Sequence, residues 1–192
     1  RIELEALPFS GEEVKKIAKL FPARGRELYL NRRATESRLK SLNLSQYRII
    51  HIACHGLISE QFPLRSSLVL AGESSEDGLL TIREIYGLRV EPQLLVLSAC
   101  QTSRGGLEKT EGVIGFPRTF LLAGAGSVVS SLWAVDDQGT SELMIEFYQQ
   151  LSAGRRRDEA LRLAKLKLIN SAFSHPYYWA GFILYGQAGS IY

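Results

Sequence analysis

The chain has 192 residues, 45% of them hydrophobic and 22% charged, with 23 basic and 20 acidic side chains and a net charge of +3. This is ordinary globular composition, sized for one α/β domain with a substantial core, and its charge balance singles out no nucleic acid or acidic partner. No apolar run approaches the ~20 residues of a membrane span, no signal peptide is present, and two cysteines do not make a secreted disulfide scaffold, so the expected home is a reducing cytoplasm.

The chain opens at Arg1 and contains one methionine, Met144. It is therefore expected to be a single domain, residues 1–192, forming the C-terminal part of a longer polypeptide. The segment "RIELEALPF" from Arg1 reads as a lead-in strand. Ser10 and Glu13 form an S-x-x-E capping box that opens a helix through "EEVKKIAKL". "ELYL", from Glu27 to Leu30, reads as a short strand, and "ATESRLKSL" as a helix. "YRIIHIAC" reads as a buried strand. "RSSLVLAG" and "DGLL" form a hairpin with Asp77-Gly78 as turn material. Thr81 and Glu84 make a second capping box, for "IREIYGL", and "QLLVLSA" is the next buried strand.

A helix in "VIGFPRTFLLAGA" and a strand in "GSVVSSLW" follow, then helices in "GTSELMIEFYQQLSAG" and "RDEALRLAKLKLIN". In the last of these, Leu161, Ala164, Leu168 and Ile169 fall near one face. The basic run from Gly154 to Arg157 reads as its solvated start. "YYWAGFILYG" closes the chain as a strand. Continuous apolar strands alternating with helices predict a mostly parallel sheet covered on both faces, a three-layer α/β/α arrangement. Such sheets place their sites at the carboxyl ends of strands.

Two apolar runs stop there at reactive side chains. One ends in Cys54, His55 and Gly56, the other in Cys100. A thiol attacks a carbonyl as its thiolate and needs a histidine to act as base or to protonate the leaving amine. The tetrahedral intermediate needs backbone N–H donors, for which Gly56 and Cys100 are placed, provided the two strand ends are neighbours. The competing reading of Cys100 is a small buried hydrophobe, and this is the expected role of Cys54, which alternation points away from His55. His51 reads as a hydrogen-bonded core histidine and His175 as a loop or cap residue. A zinc site is not expected, because alternation separates Cys54 from the histidines and no C-x-x-C pair is present. "LLAGAG", Leu121 to Gly126, leads into a strand, which does not suit a nucleotide-binding loop.

At these residues the chain resembles the CHAT family of caspase-like clan CD cysteine peptidases, relatives of caspases and separases. The resemblance is carried jointly by "HIACHG" (His51 to Gly56), "LSACQT" (Leu97 to Thr102), "EGVIGFPRTFLLAGAGSVVSSLWAVDD" (Glu111 to Asp137) and "HPYYWAGFILYG" (His175 to Gly186). Ala99, Cys100 and Gln101 fit the caspase pattern around the nucleophile; Ser98 and Thr102 depart from it and fit the CHAT one. The resemblance implies a caspase-like fold, His55 as catalytic histidine, Cys100 as nucleophile, and oxyanion donors from the backbone of Gly56 and Cys100. It also implies frequent fusion to tetratricopeptide (TPR) helices. "SLWAVDD" resembles the separase segment whose aspartate faces a basic P1 side chain, so Asp137, together with Asp136, would line the S1 pocket beside Trp133. Asp136-Asp137 equally suit a helix cap, and CHAT domains also take apolar P1 residues.

The expected function is thus a cysteine endopeptidase acting on protein or peptide substrates through a His55–Cys100 dyad, with no cofactor and no metal. The rival expectation is a catalytically silent docking or regulatory domain working with an upstream TPR region or regulatory protein. A third is a hydrolase or transferase using Cys100 on small acyl substrates. No direct nucleic-acid or membrane partner is expected. The loop "QTSRGGLEKTEG" has the composition of a cleavable segment, with Arg104 and Lys109 as candidate self-processing sites.

Overall fold

The computed structural model describes residues 4, 6–98, 100–103 and 111–191, with 100–103 and 111–114 described by their backbone alone. Residues 1–3 and 5 of the expected lead-in strand lie outside these residues, as do Arg104 and Lys109; its described residues, 4 and 6–9, form no strand and end in a turn at 8 and 9. Eight strands are described: β1 (Ile49–Ile52), β2 (His55–Ile58), β3 (Ser67–Val69), β4 (Leu79–Thr81), β5 (Leu94–Leu97), β6 (Cys100–Ser103), β7 (Ser127–Ser131) and β8 (Phe182–Gly186). The α-helices are α1 (Ser10–Lys19), α2 (Glu36–Ser41), α3 (Ile82–Ile85), α4 (Glu111–Leu122), α5 (Asp137–Ser152) and α6 (Arg157–Ile169).

The main sheet has the order β1-β5-β7-β8; its first three strands run parallel and β8 closes the edge antiparallel to β7. β5 reads "LLVL" and is buried on both faces because it sits between two helical layers. Leu94 and Val96 face one core with Ile17 of α1, Phe147 of α5 and Ala164 of α6. Leu95 and Leu97 face a second core with Ile82 and Ile85 of α3 and Phe116 and Phe120 of α4. The three-layer α/β/α arrangement with a mostly parallel main sheet follows directly from that alternation.

The expected strands through Cys54-His55 and Cys100 are each two strands. β1 stops at Ile52 and β2 starts at His55; β5 stops at Leu97 and β6 starts at Cys100. The second strand of each pair belongs to a smaller sheet of order β4-β3-β2-β6. The reason is a change of partners: β5 takes β7 on its far side, whereas β2 takes β3 in antiparallel pairing. The ladder nevertheless keeps its register across the break. Ile49 pairs with Leu94 and His55 with Cys100, an offset of 45 residues in both (94 − 49 and 100 − 55). The amide of Ser98 donates to Ile52 O at 3.0 Å and bridges the gap.

The hairpin is as expected, with β3 and β4 antiparallel and Gly78 at φ +85°, where a Cβ would lie 2.7 Å from backbone atoms of Leu70 and Gly72. The capping box of Thr81 and Glu84 is also present. The Ser10–Glu13 box is not. The Ser10 hydroxyl donates to Leu7 O, and Glu13 turns inward, 1% exposed, toward His51. "ELYL" forms no strand; Glu27 instead accepts from the hydroxyls of Tyr29 and Tyr47. Leu161, Ala164 and Leu168 are buried as their spacing predicts, but Ile169, in the last turn of α6, is exposed.

The basic run also departs from expectation at one position. Arg157 is 3% exposed. Its Nη1 donates to Gln93 O, Ser127 Oγ and Gln187 O at 3.0–3.1 Å, and its Nη2 donates to Ser190 O at 3.1 Å. The guanidinium thereby ties the approaches to β5 and β7 to the chain beyond β8.

The hairpin is pinned to α2 by an ionic cluster. Lys40 Nζ lies 2.7 Å from Glu36, 3.0 Å from Glu76 and 2.8 Å from Glu84, and buried Glu36 also accepts from the Gly78 amide at 2.9 Å. The ammonium occupies the centre of these three carboxylates. Burial raises the pKa of Glu84, but the bonds from Lys40 and from the Thr81 hydroxyl and amide outweigh it and pull the group down to about 2. A folded pKa below the ordinary 4.5 adds stability that is present above pH 4.5 and is lost as pH falls toward 2. Glu84→Gln is therefore expected to melt below wild type at neutral pH, with the gap closing across that acid window in thermal melts.

Candidate active site

His55 is the first residue of β2 and is half-buried. It follows directly on β1, whose apolar side chains hold that strand between the helical layers. Cys100, the first residue of β6, is its register partner on the adjacent parallel strand. Neighbouring strands lie about 4.8 Å apart, so the two backbones run side by side at the sheet's crossing point. Gly56 is buried one residue on, in an interior strand of the small sheet, opposite Leu68 of β3 and Gln101 of β6.

The rest of the candidate set comes from the same end of the main sheet. Trp133 follows β7 and is half-buried; its Nε1 donates to Tyr177 O at 3.0 Å. Its ring lies so close over Gly181 that a Cβ there would sit 2.7 Å from Cε2. Trp133 is thus held between β7 and the chain entering β8.

The two aspartates have different tasks. Asp136 is the N-cap of α5, with Oδ1 accepting from the Gly139 amide at 2.7 Å. Glycine suits position 139 because Cδ1 of Tyr178 would lie 2.9 Å from any Cβ. Asp137 is half-buried, and its Oδ2 accepts from the backbone amide of Phe9 at 2.8 Å. Burial raises the Asp137 pKa, the Phe9 N–H lowers it, the charges of Glu13 and Asp136 raise it, and His55 lowers it; the net is upward. Asp137 therefore shares its electrostatic neighbourhood with both α1 and the candidate histidine.

His51 is the core histidine that its position on β1 predicts. Its Nδ1 lies 3.1 Å from the Tyr148 hydroxyl and its Nε2 2.8 Å from Glu13 Oε1, the latter an ion-pair contact outside hydrogen-bond alignment. Burial, reinforced by the Glu13 charge, pushes the Tyr148 phenol well above its usual range, so it stays protonated. Sequence reading assigned Glu13 to a cap and missed this triad, because its partners lie 38 and 135 residues away (51 − 13 and 148 − 13). The one local signal is the spacing of Phe9, Glu13 and Ile17, which places an acidic residue on the apolar stripe of α1. Cys54 is a buried member of the second core, with Sγ 3.4 Å from His55 O. His175 caps the short turn Pro176–Tyr178, its Nδ1 accepting from the Tyr177 amide.

A family comparison places the chain as a whole. The model of the CHAT domain matches residues 1–187, nearly the whole chain. The chain belongs to the CHAT domain family. This CHAT domain is also similar to tetratricopeptide repeat protein 28 of Homo sapiens, at 39% identity over 111 residues, and to its Mus musculus counterpart, at 37% over the same length. Those matches cover 57% of the chain and 4% of each relative. The CHAT domain thus spans a small part of the length of these repeat proteins. Among its described residues, no helix is long and apolar enough to cross a membrane.

Proposed function

We propose that this CHAT domain is a cysteine endopeptidase of the caspase and separase type, acting through His55 and Cys100 as one peptidase domain of a longer cytoplasmic chain. The observation that carries the reading is the register: the histidine and the cysteine open adjacent parallel strands as direct partners. In the proposed reaction the Cys100 thiolate attacks the scissile carbonyl carbon. The C–N bond then breaks as His55 gives its proton to the leaving amine. Water next adds to the thioester carbonyl and transfers a proton to His55; the C–S bond breaks, releasing the acid and restoring the thiolate. The amides of Gly56 and Cys100 are the proposed donors to the oxyanion.

For P1 recognition the reading favours Asp137 over Asp136. Each carboxylate accepts one backbone amide, Asp136 from Gly139 in capping α5 and Asp137 from Phe9, but Asp136 is exposed whereas Asp137 is half-buried and within electrostatic reach of His55. A half-buried carboxylate there suits an arginine or lysine side chain, with Trp133 as a wall of the pocket. Protein or peptide substrates follow from this chemistry, and a TPR region or regulatory protein is the proposed controlling partner.

The test is alkylation followed by peptide mapping. A peptidyl electrophile with arginine at P1 is expected to label Cys100 and to spare buried Cys54. Equal labelling of the two thiols, or labelling unaffected by His55→Ala, would count against the dyad. A silent docking domain is the second reading, supported by the internal hydrogen bonds that both aspartates make and by the repeat-protein relatives. It predicts no cleavage of any peptide in a mixed library and equal partner binding by wild type and Cys100→Ala.

A further inference from the structure

The carboxylate assigned above to a basic P1 side chain is already engaged. Asp137 Oδ2 holds the Phe9 amide at 2.8 Å, and Phe9 is the residue from which α1 starts. The helix is anchored further along the same stripe. Glu13 pairs with His51 on β1, the strand that leads into His55, and Ile17 is buried in the core against α5 and α6. Phe9 itself is 37% exposed, and residues 8 and 9 form a turn outside the helix. The start of α1 is thus the outer end of a well-anchored helix, and the charge-assisted hydrogen bond from the Phe9 amide ties it to the Asp137 carboxylate.

We propose that this turn is a built-in competitor for the Asp137 carboxylate: a guanidinium or ammonium side chain of the substrate binds by displacing the Phe9 amide, and segments that pull on the start of α1 open the same position. This inference rests on the peptidase reading for its biological meaning, but the competition itself is a binding property and needs no turnover. A guanidinium offers two parallel N–H donors to a carboxylate where the Phe9 amide offers one, so the ligand can win the exchange. The amide lowers apparent affinity by the fraction of molecules in which the carboxylate is held.

The experiment uses the full 192-residue chain carrying Cys100→Ala, with N-acetyl-argininamide as probe. Phe9→Pro deletes the N–H at a residue whose φ of −84° is close to the range of proline. It is expected to tighten probe binding about tenfold, and Asp137→Asn to abolish binding in both backgrounds. In the parent chain, probe titration is expected to strip hydrogen-exchange protection from the Phe9 amide while leaving the amides of α5 protected. Unchanged affinity in a Phe9→Pro protein that melts like its parent would overturn the proposal. So would probe binding with Phe9 protection intact, or no probe binding in any variant. If Phe9→Pro fails to fold, the exchange measurement on the parent decides alone. The peptidase reading fails on a different observation, peptide cleavage that persists in Cys100→Ala, and the two failures are therefore distinguishable.

Discussion

Cys100→Ala is expected to lower kcat/KM for any cleaved peptide by at least about 10³-fold, and His55→Ala by about 10²- to 10⁴-fold. The first substitution removes the atom that forms the covalent bond, so what remains is positioning and oxyanion stabilisation alone. The second leaves the thiol in place but removes the proton donor to the leaving amine. An ester or activated-amide substrate, whose leaving group needs less protonation, should therefore be hurt less by His55→Ala than a peptide is. Because the two residues are register partners, the double variant should be hardly worse than Cys100→Ala. Cys54→Ala should keep kcat/KM within about twofold, since its sulfur is buried in the second core. Steady-state kinetics on a peptide chosen by library profiling check all four. Cleavage that survives Cys100→Ala would remove the nucleophile from the scheme.

The largest expected loss of stability lies far from that chemistry. Arg157→Ala strips donors from the carbonyls of Gln93, Gln187 and Ser190 and from Ser127 Oγ, all now bonded to one buried guanidinium. Gln93 O keeps the Ser127 hydroxyl as a donor, and Gln93, Gln187 and Ser190 are exposed residues whose carbonyls water can reach, so the net loss is about 1–3 kcal/mol. In a domain of this size that is a fall of about 2–12 °C in Tm. Burial pulls the Arg157 pKa below its ordinary value; its acceptors are backbone carbonyls and a hydroxyl, and no carboxylate partner appears among the described ion pairs. Arg157→Lys should recover only part of the loss, because an ammonium cannot reach four acceptors with the planar fork of a guanidinium. Arg155→Ala and Arg156→Ala, both exposed, should shift the melt by less than about 0.5 kcal/mol.

The contrast among those three arginines shows what could be read from the sequence. A basic run says that a solvated helix start is present, and for residues 155 and 156 it is right. What buries residue 157 is the arrival of carbonyls from positions 93, 187 and 190, which no local pattern encodes. The same division holds elsewhere. Thr81 and Glu84 form their capping box because both partners lie within one turn; the identical pattern at Ser10 and Glu13 is overridden by His51 on a distant strand. The Asp77-Gly78 turn, the buried β5 and the helical faces were legible because each depends on residues a few positions apart. "ELYL" had the right alternation, but its tyrosine and glutamate find side-chain partners and no ladder.

The candidate dyad was legible for a particular reason. Each residue ends an apolar run within a motif that resembles the CHAT family, and the one thing the sequence left open, that the two strand ends are neighbours, is supplied by the register. The partition of roles between Asp136 and Asp137 was not legible, since it depends on Phe9, 128 residues away. The interruption of both strands just before the two residues was equally hidden. It arises from the competing partners β3 and β7, not from the residues at the gap.

That interruption has a mechanical corollary. Histidine 55 and residue 100 ride on one small platform of four strands, while Asp137 and Trp133 ride on the larger one beside it. Under the proposed roles, a tilt of one platform against the other would leave the His55–Cys100 register intact and change its distance to Asp137. On the proposed peptidase reading, bond breaking and choice of cleavage point would thus be mounted on separate supports.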